Sequence, residues 1–138
     1  MHRALFGEAI AGAGPSSRSR SLQILVADGY TDAADSLALL VQLWGHQVLV
    51  ARTGAEALAA AAELPIDLVL AELVLPVMDG FELARRLRDR TTLVAVTGIS
   101  LPAYRRRALE AGFARVLIKP VSPDELEQLV QAIAALKR

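Results

Sequence analysis

From Leu22 onward the apolar positions follow two rhythms. Short, nearly unbroken apolar runs predict buried strands at Leu22–Ala27, Val48–Ala51, within Asp67–Leu73, at Leu93–Thr97 and at Val116–Ile118. Between them, apolar residues recur three and four positions apart. Asp32–Trp44 carries Leu37, Leu40, Val41 and Trp44 on one helical face, and Gly45 ends it. Thr53-Gly54-Ala55-Glu56 is a capping box opening an Ala-rich helix to about Glu63, which Pro65 terminates. A loop through Pro76 leads to a helix over Gly80–Arg88. Pro102–Ala111 is a helix ended by Gly112. Ser122-Pro123-Asp124-Glu125 is a second capping box with proline at the first helical position. Its helix runs to Lys137 with Leu126, Leu129, Val130 and Ile133 as the buried stripe.

Five strand-then-helix units in series imply an α/β domain, with a parallel sheet covered on both faces. Ligand sites in such sheets lie at the carboxyl ends of the strands. That rule singles out Asp28, Gly29, Glu72, Thr97 and Lys119, each at or just past the end of its strand.

A chain of 138 residues fits one domain with a core of its own. With 54% hydrophobic residues it is not a disordered polymer. The formal net charge of zero supplies no global field for nucleic acid or an anionic membrane. There is no Cys, which excludes disulfides and sulfur-ligated metals. No apolar run approaches the length of a bilayer span. Residues 1–21 read as a flexible N-terminal extension, with a short helix over Leu5–Ile10 and a Pro/Ser/Arg segment over Pro15–Ser21. The extension places His2 and Arg3 before a small apolar stretch. Glu8 and glycines interrupt that stretch, so it is not read as an export signal, and a cytoplasmic protein is expected.

Several segments together resemble the receiver domains of two-component response regulators, the CheY-like family. They are Ile24-Leu25-Val26-Ala27-Asp28, Gly45-His46-Gln47-Val48, Thr53-Gly54-Ala55-Glu56-Ala57-Leu58, Asp67-Leu68-Val69-Leu70-Ala71-Glu72, Pro76-Val77-Met78-Asp79-Gly80, Val96-Thr97-Gly98, Ala111-Gly112-Phe113 and Lys119-Pro120-Val121. The resemblance covers residues 22–138 and implies a (βα)5, doubly wound, five-stranded parallel sheet of flavodoxin-like order 2-1-3-4-5. It also implies a pocket in which two acidic residues and an acceptor aspartate hold magnesium. The acceptor takes a phosphoryl group from a histidine kinase, and a threonine or serine and a lysine contact that group.

On this pattern Asp28 matches the first acidic residue, and Thr97 and Lys119 match the sensing pair. Three positions depart. The acceptor position is Glu72, whose carboxylate sits one methylene further out, about 1.5 Å. Misplacement of that size costs on the order of 100-fold in a transfer that depends on alignment. The second acidic position is Gly29, so only Asp28 and Glu72 remain as carboxylates for a magnesium ion. The aromatic switch position is Val116, whose short, stiff torsion has no comparable swing. The expectation is a pseudo-receiver with no cofactor, binding magnesium weakly through Asp28 and Glu72 or not at all. It would not be an enzyme, and it would work in two-component signalling through protein contacts. Glu72 is expected to pair with Lys119 and to accept from Thr97. Asp28 reads equally as a turn cap and as a residual metal ligand. Lys119 before Pro120 is the candidate cis peptide.

With the chain closing at Arg138 after the fifth helix, the protein reads as a stand-alone receiver. Tyr104 with Arg105, Arg106 and Arg107 marks a partner surface. In the family it belongs to the face made by the fourth helix, fifth strand and fifth helix. It would suit a histidine kinase, another signalling protein or a second copy of the chain. Arg85, Arg86, Arg88 and Arg90 read as a solvated helix face. Trp44 is assigned to the core and His46 to a surface turn. Two alternatives stay open. A phosphomimetic form of a phosphorylatable receiver fits Glu72 but not Gly29, since mimicry needs one change. A small α/β nucleotide binder or enzyme lacks a Gly-rich phosphate loop, and His2 and His46 are poorly placed for a catalytic set.

Overall fold

The computed structural model describes residues 20–137. The helix expected over Leu5–Ile10, and Arg18, lie outside the described residues. Five strands alternate with five helices: β1 (Gln23–Ala27), α1 (Thr31–Leu43), β2 (Gln47–Ala51), α2 (Gly54–Glu63), β3 (Leu68–Ala71), α3 (Gly80–Leu87), β4 (Thr92–Thr97), α4 (Pro102–Ala111), β5 (Arg115–Ile118) and α5 (Pro123–Leu136). All strand pairs are parallel, in the order β2-β1-β3-β4-β5. The doubly wound, flavodoxin-like arrangement implied by the sequence is the one observed.

Strand alternation divides the core in two. Leu25, Ala27, Val69, Ala71, Leu93, Ala95 and Val116 face α2, α3 and α4, where Ala57, Phe81, Leu83, Ala84 and Ala108 meet them. Ile24, Val26, Leu68, Leu70, Val94, Val96 and Leu117 face α1 and α5, where Leu37, Val41, Leu126, Val130 and Ile133 meet them. A strand buried on both sides carries no polar alternation, which is why these segments read as unbroken apolar runs.

Caps fix the helix starts. Thr53, Asp79 and Ser122 each accept from the backbone N–H three residues on, at 3.0, 2.9 and 3.2 Å. In the Thr53 box the return bond goes one residue further back, from the N–H of Arg52 to Glu56 Oε1 at 2.8 Å. Trp44 is half-buried against the α1/α5 cluster, as a core assignment requires.

His46 corrects the sequence reading. It is buried, not in a solvated turn, and its Nδ1 accepts from the N–H of Leu22 at 3.0 Å. Gly45 turns the chain just before it with φ 96°, a conformation that costs glycine little. Burial lowers the pKa of His46 from its ordinary 6.5, because the charged imidazolium is poorly solvated there. At the same end of the sheet, Asp67 Oδ2 accepts from the N–H of Gln23 at 2.9 Å. Arg20 reaches Asp67 at 3.3 Å and the carbonyl of Lys137 at 2.7 Å.

Candidate functional site

Ladder hydrogen bonds bring four strand ends together. The N–H of Asp28 donates to Ala51 O, that of Glu72 to Ala27 O, and that of Lys119 to Thr97 O, at 3.0, 2.9 and 2.8 Å. The residues that follow β1, β3 and β5, together with Thr97 at the end of β4, therefore share one rim. The loop after Glu72 folds tightly over it. A Cβ on Gly80 would stand 2.5 Å from the carbonyl oxygen of Glu72, so that close approach requires glycine.

Lys119 Nζ lies 2.8 Å from Asp28 Oδ2 and 3.0 Å from Glu72 Oε1. The remaining carboxylate oxygens turn to the backbone. Asp28 Oδ1 accepts from Tyr30 N–H at 2.9 Å, so Asp28 caps the turn and holds the lysine at once. Glu72 Oε2 accepts from the N–H groups of Leu73 and Val74 at 2.7 and 3.3 Å. All four carboxylate oxygens thus have partners. Both carboxylates are nearly inaccessible, whereas the lysine side chain keeps 24% of its surface. Burial on its own would lower the pKa of Lys119. The hydrogen bonds and charges of Asp28 and Glu72 outweigh it and raise the pKa above 10.5. The Tyr30 ring, largely exposed, lies 5.9 Å from the ammonium.

Thr97 is fully buried, and its Oγ1 accepts from the N–H of Ile99 at 3.2 Å. The expected bond from Thr97 to Glu72 is not formed. The longer glutamate curls back onto its own loop, and the hydroxyl serves the loop after β4. Gly29 is exposed, and a Cβ there would stand 3.2 Å from Cδ of Pro76. Val116 is buried in the core beneath α4. The Lys119–Pro120 peptide is cis.

The arginine groups separate. Arg85 and Arg86 pair with Glu82 at 3.1 and 2.8 Å. Hydrogen bonds from Arg86 and then Arg85 hold the Glu82 carboxyl below its ordinary range. Arg88 and Arg90 donate to the carbonyls of Glu110 and Ala61. On α4, Tyr104 is half-buried with its ring 6.3 Å from that of Phe81, and the Arg107 guanidinium sits 4.1 Å over Phe81. Those two side chains fasten α4 to α3. All three arginines of the run are exposed, but Arg107 is held over Phe81, whereas Arg105 and Arg106 stack on no ring among the described residues. Sequence reading missed the N–H groups of Leu73 and Val74 as the seat of Glu72. Only the backbone path of the loop reveals them. It also missed Val77, which sits at φ 70° in a tight turn where Met78 N–H donates to Pro76 O at 2.8 Å.

The family model of the response regulator receiver domain matches residues 24–131. The chain belongs to this family. Receivers are signalling modules of two-component systems, and they interact with histidine kinases or phosphotransfer proteins. This receiver is 40% identical, over 116 residues, to an uncharacterized 14.6 kDa protein in the sodA1 3' region of Leptolyngbya boryana. The match covers 80% of this chain and 88% of that protein. It is 34% identical over 116 residues to the sensor histidine kinase RcsC of Salmonella typhi, a match covering 82% of this chain but 12% of the kinase. Among solved structures, it is similar to the receiver domain of the sensor histidine kinase PA1611 from Pseudomonas aeruginosa, which holds a magnesium ion in its active-site cleft. There the TM-score is 0.77 at 25% identity, covering 83% of this chain and 98% of that one. Among the described residues no helix is long and apolar enough to cross a membrane.

Proposed function

We propose that this receiver works without phosphorylation, as a protein-binding module in a two-component pathway. The observation that carries the reading is the state of Glu72. A carboxylate that is to attack phosphorus needs a free oxygen in line with the leaving group. Both oxygens of Glu72 are engaged, one by Lys119 and one by its own loop.

The donor set does not fit magnesium. That ion wants octahedral oxygen ligation and carboxylate charge. Only Asp28 and Glu72 converge here, and the point on which they converge holds the Lys119 ammonium. At residue 29 there is no side chain, and the Pro76 ring packs close to where one would begin. No step is therefore routed through a metal. What these residues do chemically is hold one another: the ammonium offsets one of the two carboxylate charges and the loop N–H groups solvate the rest, leaving a rim whose shape is set by protein groups alone.

Partner contact is assigned to the face of α4, β5 and α5, where Arg105 and Arg106 stand exposed beside half-buried Tyr104. An acidic patch on a signalling partner such as a histidine kinase fits those cations. Incubation with acetyl phosphate and magnesium, followed by intact-mass measurement, tests the reading. No adduct is expected, and a gain of one phosphoryl group overturns it.

A further inference from the structure

A carboxylate at position 72 places negative charge beside Lys119, which is half of what a bound phosphoryl group would present. The other half is contact with the hydroxyl of Thr97, and here the structure points the other way. Thr97 Oγ1 is occupied by the N–H of Ile99. Glu72 Oε2 lies 2.7 Å from the N–H of the very next residue, so the extra methylene is used in curling the carboxylate back over its own loop. The lysine is shared, reaching Asp28 as well as Glu72. In the sheet order, β4 stands between β3 and β5. The Lys119 side chain therefore ties the ends of β1, β3 and β5 together, while β4 is met only by the Lys119 backbone N–H at the Thr97 carbonyl, and the Thr97 hydroxyl is left out.

We infer that Glu72 is an internal lock and not a phosphoryl mimic: with Asp28 and Lys119 it holds the receiver with Thr97 disengaged, so that a partner at α4 meets one resting form at all times. The inference rests on the proposed reading that Glu72 is not phosphorylated. Its physical basis is that a ligand, or a side chain standing in for one, shifts a two-state element only through contacts that differ between the states. Glu72 makes no hydrogen bond to the hydroxyl of Thr97, the sensing group on the strand leading into α4. Val116, at the position where the family's switch aromatic falls, is buried in the core and gives no second route for the signal.

Backbone amide spectra of the full chain, wild type against Glu72→Gln and Thr97→Val, test this. Glutamine keeps the shape of residue 72, and Asp28 still pairs with Lys119, but the charge is gone. Under the lock, Glu72→Gln moves the amides of Asp28, Tyr30, Leu73, Val74 and Lys119 and leaves Gly98 through Ala111 in place. Thr97→Val moves only Thr97 through Ser100 and the amide of Lys119, which donates to the Thr97 carbonyl. If both variants displace the amides of α4 and β5 in the same direction, Glu72 and Thr97 are coupled and the lock is wrong. Should Glu72→Gln fail to fold, Thr97→Val decides alone: a coupled hydroxyl would carry its loss to the Leu73 and Val74 amides that seat Glu72, and an uncoupled one would not. The mass measurement on the same wild-type sample keeps the two readings apart. A phosphorylated wild type overturns the proposed function, whereas coupled spectra from an unphosphorylated protein overturn the lock only.

Discussion

The two ends of the sheet use similar side chains for different ends. At the amino ends of the strands, His46 and Asp67 each accept from a backbone N–H of the first strand, those of Leu22 and Gln23. The cation there, Arg20, is half exposed and sits at the margin. At the carboxyl ends, Asp28 and Glu72 are buried and converge on a cation that closes them off from solvent. Turn chemistry differs in the same sense. Gly45 supplies the positive φ at the amino end without cost, whereas Val77 adopts φ 70° at the carboxyl end. One end is a set of staples, each a single side chain serving one backbone group. The other gathers charge and strain in one place, as sites inherited from a functional family do.

The largest effect that would sharpen this contrast is removal of the central cation. Lys119→Met leaves two buried carboxylates facing each other without compensation. A loss of about 3 kcal/mol of unfolding free energy is expected in urea titrations, toward the low side for a pair whose lysine is partly solvated. Adding Asp28→Asn to that variant should recover part of the loss, because one carboxylate alone still has its loop N–H partners. Since the pKa of Lys119 is raised, its contribution is complete below 10.5 and fades only as pH climbs through the higher folded value. If Lys119→Met proves no more costly than loss of the exposed Arg20, the two ends are not different in kind.

At the staple end the sensitive group is His46. Truncation to alanine orphans the buried N–H of Leu22, with an expected cost of about 1–3 kcal/mol. The pH dependence has the opposite sense to that of Lys119. Burial lowers the folded pKa of His46 below 6.5, so the unfolded chain binds the proton more tightly. Its contribution is present above pH 6.5 and is lost as pH falls toward the lower folded value. Thermal melts between pH 7 and pH 5 should show that acid slope in the wild type. They should show less of it in His46→Asn, whose Oδ1 occupies the place of Nδ1 and accepts the same bond without titrating.

How much of this could be read from the sequence also divides by end. Strand order, both cap motifs and the candidate residues 28, 72, 97 and 119 follow from apolar runs and from a motif set whose order and spacing mirror a known family. The staple end carries no such motif. His46 beside Gly45 looks like a solvated turn, because the donor it satisfies lies 24 residues away and only the fold brings it near. At the site itself, strand ends could be placed but side-chain direction could not. Glutamate and threonine at neighbouring strand ends suggest a bond. The loop N–H groups of Leu73 and Val74 compete for the same oxygens and win, because they are adjacent in the chain and already held in place. The arginine run on α4 was likewise legible as charge but not as packing, since the Phe81 that receives Arg107 lies on another helix.

A smaller effect, and of opposite sign, is expected at Val77. A β-branched residue in the left-handed region is strained by about 1 kcal/mol or more. Val77→Gly removes that strain, although glycine loses more entropy on folding. A net stabilisation of up to about 1 kcal/mol is expected, read as a shift of the denaturation midpoint without a change in slope. Glycine that destabilises the protein would mean that the exposed valine side chain makes contacts worth more than its backbone strain, and the carboxyl end could no longer be called the strained one.

The smallest effect is expected at Arg20. Its guanidinium meets Asp67 at 3.3 Å with nearly half of the arginine side chain in water, so Coulomb attraction is weak and salt screens it further. Arg20→Ala should cost about 0–1 kcal/mol at low ionic strength, and less in 1 M salt. Asp67→Ala should cost more, because it also orphans the N–H of Gln23. Because Arg20→Ala also removes the bond to the Lys137 carbonyl, the excess loss in Asp67→Ala is a lower bound on the backbone bond. Equal losses, both abolished by salt, would make the amino end an electrostatic device after all and remove the distinction between staple and site.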